Sequence, residues 1–247
     1  MARYDGILLC SDFDGTLASH GTVSDENIAA VRSFMEQGGL FTLATGRPFD
    51  KIDMGIVPNT HIVCFNGAAI YDHVHKEYLF KGPLPNEARE LSEEIFAEFD
   101  SLYELIFYGF DKNYTYKRGD SDRSGLAGEF AKIIFMVDPE YSDETMEAIS
   151  KKIDHSVYNL SRSGRRGIEL LRVDCTKGDS VRRLRSILGD RIDKVVCVGD
   201  YENDITMLRE ADIGYAVGNA LESVKAVADR ITLLNTEHAI ARIISEL

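Results

Sequence analysis

The chain has 247 residues, enough for one large domain or two smaller ones, each with a real core. Its 41 acidic and 28 basic residues leave a net charge of −13, which argues against nucleic acid or an anionic membrane as the main partner, since both select basic surfaces. No apolar run approaches membrane-spanning length, and the four cysteines, Cys10, Cys64, Cys175 and Cys197, lack zinc-type spacing and read mostly as reduced core residues of a cytoplasmic protein.

In chain order, Gly6 to Cys10 reads as a buried strand that ends in two aspartates, Asp12 and Asp14, before Gly15, Thr16 and Leu17. A core strand that finishes on crowded carboxylates needs something positive between them, or else the stretch is a solvated Asp-Gly turn. After a polar turn from Ala18 to Val23, Ser24 or Asp25 caps a helix to about Gln37, which Gly38-Gly39 stops. Leu40 to Ala44 is a second strand ending in Thr45-Gly46-Arg47-Pro48, and a short helical turn follows. His61 to Phe65 is a third strand, ending in Asn66-Gly67. Nearly continuous apolar strands separated by a helix predict parallel pairing, buried on both faces.

The texture changes near Gly82-Pro83-Leu84-Pro85. Helices over Asn86–Phe99 and Ser142–Ile153 mix with strands over Leu102–Tyr108, Tyr114–Lys117 and Ala131–Val137. Val157–Ser161 and Gly167–Leu171 form a further hairpin, and a Gly/Ser/Asp-rich loop covers Ser121–Gly128. This is the pattern of an α+β module with an antiparallel sheet. From Asp174 the alternation of strand and helix resumes: helix Lys177–Leu188, strand Lys194–Val198 ending in Gly199-Asp200, helix Glu202–Ala211 and strand Ile213–Val217. Helix Ala220–Ala228, strand Arg230–Leu233 and helix Thr236–Leu247 complete it. The expected architecture is therefore a doubly wound parallel α/β core, residues 1–82 plus 174–247, with an inserted α+β domain at 83–173.

In such sheets ligands bind at the carboxyl ends of the strands. Four strand-like runs end in polar groups: Asp12 with Asp14; Thr45 to Arg47; Asn66; and Asp200 with Asn203 and Asp204. Lys177, at the start of a helix, can point to the same edge. Carboxylates and carbonyls without His or Cys suit a hard cation, Mg²⁺ rather than Zn²⁺. A cation with Lys, Thr and helix N-termini suits a phosphoryl group. Taken alone, Asp200 could equally be a helix cap and Asn66-Gly67 a turn.

In this order, DFDGTL at Asp12–Leu17, TGR at Thr45–Arg47, Lys177 and GDYEND at Gly199–Asp204 resemble the haloacid dehalogenase superfamily of phosphohydrolases. FNGA at Phe65–Ala68 and ADIGYAVGNA at Ala211–Ala220 resemble its Cof-type subfamily, which carries a large α/β cap at the place of the insertion. The resemblance implies a Mg²⁺-dependent phosphatase acting on a small phosphorylated metabolite, a sugar phosphate or similar. It implies Asp12 as nucleophile, Asp14 as general acid and base, and Lys177 as a charge-neutralising group. Mg²⁺ would be held by the Asp12 side chain, the Asp14 main-chain carbonyl and Asp200, with Asp204 as a further ligand or behind it. Thr45, Gly46 and neighbouring N–H groups would hold phosphoryl oxygens. Asn203 would touch the phosphoryl group or orient Lys177, and Arg47 would contact substrate or lie on the surface. A phosphomutase of the same superfamily and a signalling module phosphorylated on Asp12 remain as alternatives.

The insertion says less about its own role. Candidates for reading the leaving group are Arg118, Arg123, Arg162, Arg165, Arg166 and Glu169. SRSGRRG at Ser161–Gly167 is a basic spot in an acidic protein: either a contact for a second anionic group or a solvated hairpin turn. Asp53, Asp72 and the acidic helix Glu87–Glu98 read as solvated faces, and the six histidines show no ligand pattern.

Overall fold

The computed structural model of the protein describes residues 2–53, 55–120 and 125–247. The first part of the expected 121–128 loop, with Arg123, lies outside them. The chain forms two compact units, Met1–Phe80 with Thr176–Leu247, and Lys81–Cys175.

The first unit opens with β1 (Ile7–Ser11), a small hairpin of β2 (Ala18–Ser19) and β3 (Thr22–Val23), and α1 (Asp25–Glu36), whose N-terminus is capped by Ser24 accepting from the Asn27 N–H. Then come β4 (Leu40–Leu43), β5 (Ile62–Cys64), β6 (Ala69–Asp72) and β7 (Glu77–Lys81). The second unit contains α2 (Glu87–Glu98), β8 (Leu102–Gly109), β9 (Asn113–Lys117), β10 (Phe130–Val137), α3 (Ser142–Ser150), β11 (Tyr158–Arg162) and β12 (Gly167–Arg172). The first unit resumes with α4 (Lys177–Leu188), β13 (Lys194–Gly199), α5 (Ile205–Glu210), β14 (Ile213–Ala216), α6 (Glu222–Lys225), β15 (Arg230–Ile231) and α7 (Ala239–Glu246).

The order β15-β14-β13-β1-β4 makes a five-stranded parallel sheet. α1 packs with α7 and α4 with α5, two helix pairs that flank it. That cover explains why Leu8, Leu9 and Cys10 on β1 and Val195 to Val198 on β13 are all buried, on both strand faces. The cysteines are all free and buried. Among the described residues no helix is long and apolar enough to cross a membrane.

The inserted unit is α+β. Its sheet, ordered β11-β12-β10-β8-β9, is antiparallel throughout. Phe130, Ile133, Phe135 and Val137 of β10 join Ile95 and Phe96 of α2 and Ile149 of α3 in one apolar cluster. The alternate β10 residues, Lys132, Ile134 and Met136, point to the opposite face.

Several elements differ from expectation for local physical reasons. The turn at 18–23 is a two-by-two hairpin, with Ala18 paired to Val23. β5 meets the parallel sheet through a bridge from Val63 to Ala44, with the Thr42 hydroxyl donating to the His61 carbonyl, and its other edge pairs antiparallel with β6 in a sheet that continues to β7. That pair of strands was not anticipated: the turn joining them has no glycine, and Lys76 takes the positive φ of 60° itself. The helix expected from Glu202 starts as a 3₁₀ turn, Glu202–Asp204. There the Asp204 carboxylate accepts from the Asp200 and Tyr201 N–H groups and tightens the chain.

α4 is held at its start by a reciprocal cap between Thr176 and Asp179. Lys177 is its first residue. Replacing Thr176 by Ala should lower stability by about 1 kcal/mol, read as a smaller urea midpoint at unchanged slope, and should lower activity with it.

Candidate active site

Parallel register brings the candidate residues to one edge. Ser11 pairs with Leu43 on one side and Val198 on the other, so β1, β4 and β13 end together. The next residues stay in line: the Asp12 N–H donates to the Val198 carbonyl at 3.0 Å and the Ala44 N–H to the Ser11 carbonyl at 2.9 Å. Thr45 and Asp200 follow β4 and β13. The chain leaves β5 through two left-handed residues, Phe65 and Asn66 (φ 52° and 57°), and the Asn66 N–H donates to the Thr45 carbonyl at 2.9 Å. Asn tolerates this conformation; for Phe65 it is strained, as often happens at sites.

At the centre lies Lys177, whose side chain is fully buried. Its Nζ donates to Asp12 Oδ1 and to Asp204 Oδ1, each at 2.6 Å. Asp12, Asp200 and Asp204 form a cluster with one oxygen of each within 4.8 Å of the others. Thr16 donates to Asp200 Oδ1 at 2.8 Å. Burial pushes the Asp12 carboxyl well up, Asp204 and Asp200 add to this, and Lys177 opposes it. Burial, with Asp204 beside it, pushes Asp200 up to about 6. Burial disfavours the Lys177 ammonium, but Asp12 and Asp204 outweigh that and keep it protonated. Three carboxylates facing one ammonium leave two negative charges uncompensated when ionised. A hard divalent cation fits this all-oxygen donor set in charge and in kind. Asp204 is the least free to serve as a ligand, since Oδ1 accepts from Lys177 and Oδ2 from two N–H groups.

The Asp14 side chain points away from that cluster. It is half exposed and held by Arg47 in a two-pronged ion pair, Nε to Oδ2 at 2.7 Å and Nη2 to Oδ1 at 2.6 Å. Arg47 also lies over the Phe13 ring and donates to the Lys51 carbonyl. Arg47 is thus tied to Asp14 while its side chain remains 37% exposed. The Thr45 hydroxyl accepts from the Arg47 N–H at 3.2 Å. Gly46 lies against Asn66, where a Cβ would stand 3.0 Å from Oδ1. Asn203 donates to Asn66 Oδ1 at 3.0 Å, so it braces the neighbouring loop; no bond from it to Lys177 is formed.

Reading by motif missed the supports. Thr16 orients Asp200, and Asn219 donates to the Gly15 carbonyl at 2.8 Å. Gly15 has φ 85°, and a Cβ there would come within 2.5 Å of Asp200 Oδ2, so a side chain is barred twice over. Both signals were present in DFDGTL and VGNA, but without register nothing tied them to Asp200. Asp72, expected on a solvated face, is buried: it accepts from the Val74 and His75 N–H groups and meets the His75 ring at 2.9 Å and the His61 ring at 3.6 Å. The His75 ring and N–H, with the Val74 N–H, hold its carboxyl well below the usual range.

Within the inserted unit, Arg118 donates to the carbonyls of Phe96, Phe99 and Leu102, tying off the end of α2. Arg162 pairs with Asp143. Glu169 is buried, bound to Lys132 Nζ at 2.8 Å and to the Ser163 hydroxyl. Arg165 and Arg166 remain exposed.

Residues 9–244 match the haloacid dehalogenase-like hydrolase family. The chain belongs to that family. It is a phosphatase-type hydrolase, and its Cof-type motifs and inserted cap are consistent with each other. Phosphatase YwpJ of Bacillus subtilis is 28% identical, with 97% of this chain and 99% of that protein covered. 5-amino-6-(5-phospho-D-ribitylamino)uracil phosphatase YcsE, also of Bacillus subtilis, is 26% identical over 96% of this chain and 94% of its own length. The solved structure of a haloacid dehalogenase-like hydrolase from B. subtilis superposes with a TM-score of 0.82 at 25% identity, covering 97% of this chain and 99% of that one.

The raised Asp200 carboxyl binds its proton more tightly in the folded state than in the unfolded one. In EDTA, stability should therefore fall as pH rises from about 4 to about 6, and Mg²⁺ should restore most above that window. Asp200→Asn in EDTA at pH 7 should be more stable than the parent by about 1–2 kcal/mol. Asp204→Asn should be less stable, because an amide NH₂ would face Lys177 or the two N–H donors. Thermal unfolding of the three proteins, with and without Mg²⁺, checks the order.

Proposed function

We propose that this hydrolase cleaves a small phosphorylated metabolite, a sugar phosphate or similar, through a phosphoenzyme on Asp12. The observation that carries the reading is the Asp12 carboxylate at a strand end, gripped on one oxygen by buried Lys177 and flanked by Asp14, which stands outside the buried cluster.

A phosphate monoester repels nucleophiles by its own charge, so positive charge must offset it. Lys177 supplies one fixed, fully buried charge. Asp12 attacks phosphorus in line; the phosphorus–oxygen bond to the alcohol breaks, and the leaving oxygen takes a proton from Asp14. Asp14 then accepts a proton from the water that attacks the aspartyl-phosphate, which frees inorganic phosphate and restores the Asp12 carboxylate. The Arg47 fork sets the orientation of Asp14 before substrate arrives. Thr45 and the N–H groups beside Gly46 hold phosphoryl oxygens, with Asn66 and Asn203 fixing that wall. Asp12, the Asp14 carbonyl and Asp200 would hold Mg²⁺, with Asp204 positioning Lys177 behind them. When bound, the ion supplies further charge neutralisation at the phosphoryl oxygens. The phosphate on a ribityl chain in the name of YcsE supports a small-metabolite substrate.

Phosphate release from a panel of phosphorylated metabolites should require Mg²⁺ and be lost on adding EDTA. Asp12→Asn should lower kcat by more than about 10³-fold. Isomerised product without free phosphate would make the enzyme a mutase. A phosphoenzyme lasting many minutes would favour a signalling module, and no release across the panel would overturn the proposal.

A further inference from the structure

Gly15 is the softest point in the loop that follows β1. It stands between Asp14, whose main-chain carbonyl is a proposed Mg²⁺ ligand, and Thr16, whose hydroxyl holds Asp200. A glycine has no side chain to stop the peptide planes on either side of it from swinging. Both planes are nevertheless tied. The plane before Gly15 carries the Asp14 carbonyl and the Gly15 N–H, which point in opposite directions across a trans peptide. That N–H donates to the Ala18 carbonyl at 3.0 Å, so the Asp14 oxygen is turned away from Ala18. The plane after Gly15 carries its carbonyl, which accepts from Asn219 Nδ2 at 2.8 Å.

Both ties lead to one residue. The Asn235 N–H donates to Asn219 Oδ1 at 2.9 Å, which fixes the end of that amide that faces Gly15. Asn235 Nδ2 donates to the Ala18 carbonyl at 3.3 Å, the oxygen that also takes the Gly15 N–H. Asn235 opens a 3₁₀ turn, Asn235–Glu237, just before α7, and none of the three residues is buried. The turn therefore adds nothing to the apolar core. It is itself held: the Leu234 N–H donates to Glu237 Oε2 at 3.2 Å, and the Gly218 N–H donates to the Leu233 carbonyl at 2.8 Å. A segment fixed in this way, with its first residue bonded twice toward the Gly15 loop, acts as a clamp on that loop.

We infer that Asn219 and Asn235 are positioning residues for metal binding: they fix the peptide planes beside Gly15 and so aim the Asp14 carbonyl at the ion. The inference rests on the reading of that carbonyl as a Mg²⁺ ligand. The clamp works by preorganisation. Without it the loop samples other plane orientations, and only the fraction with the carbonyl correctly aimed binds the ion, so apparent affinity falls by that fraction. Asn219 is exposed and Asn235 half-buried, so replacing either by Ala leaves the core intact.

The test compares the parent with Asn219→Ala, Asn235→Ala and, as a control in the same turn, Thr236→Ala. Mg²⁺ affinity is measured by calorimetric titration of the metal-free proteins, and thermal unfolding is followed in EDTA. Hydrolysis of 4-nitrophenyl phosphate is measured across a Mg²⁺ series. Both Asn variants should bind Mg²⁺ about fivefold more weakly, the weight of one ordinary hydrogen bond. Their unfolding temperatures in EDTA should stay within about 2 °C of the parent's. At saturating Mg²⁺ their kcat and KM should return to the parent's values, and Thr236→Ala should match the parent throughout. Unchanged Mg²⁺ affinity in both Asn variants overturns the inference. So does a loss of activity that saturating Mg²⁺ fails to restore, or a fall in unfolding temperature with affinity intact, since either marks a merely structural role. An effect confined to Asn219→Ala overturns the role of Asn235. Should one variant not fold in EDTA, the other decides; should neither fold, the role is structural and the inference is overturned. If the parent itself binds no Mg²⁺, the reading of the metal site has failed and the inference falls with it.

Discussion

The structure depends on one buried ammonium. The Lys177 side chain is fully buried and has two carboxylate partners, Asp12 and Asp204, drawn from opposite ends of the chain. An uncompensated buried charge costs several kcal/mol, so the three segments that carry these residues must meet correctly or not fold at all. The capped start of α4, the register of β1 with β13 and the 3₁₀ turn at Glu202–Asp204 are the means by which they meet. Asp204 shows the logic in one side chain: one oxygen fixes Lys177, and the other closes the loop that presents Asp200.

The same economy separates the two aspartates at the end of β1. Asp12 points into the buried cluster, where burial raises its carboxyl. Asp14, two residues on, lies half exposed in the fork of Arg47. Neighbouring groups of one chemical type thereby occupy different electrostatic surroundings, as the proposed division of roles between them requires. Gly15 makes the division possible, since its left-handed backbone and missing Cβ let the chain turn against Asp200.

How much of this was legible in the sequence follows a physical divide. The parallel core was readable because strands buried on both faces are apolar throughout, and α4 because Thr176 and Asp179 announce its start. The residues at the sheet edge were readable because polar groups at the ends of apolar runs stand out. What could not be read were relations across the chain. Nothing local shows that Asn203 braces Asn66 rather than Lys177, that Thr16 orients Asp200, or that Glu169 is buried against Lys132. Asp72 resembled a solvated acid because its two histidine partners, His61 and His75, look unremarkable one at a time. β6 and β7 escaped notice because their turn contains no glycine.

The insertion also orders events in time. Every strand pairing of the second unit is made within residues 102–172. β1, by contrast, pairs with β13, Ile7 opposite Lys194. During synthesis from the N-terminus the inserted unit can close while β1 still lacks one neighbour, and closing so long a loop is the slower event. The half-built sheet meanwhile has β4 along one edge of β1 and an open hydrogen-bonding edge along the other, flanked by the unneutralised Asp12. Until Lys177 and β13 arrive, that exposed edge is where a nascent chain of this protein is most open to wrong pairing.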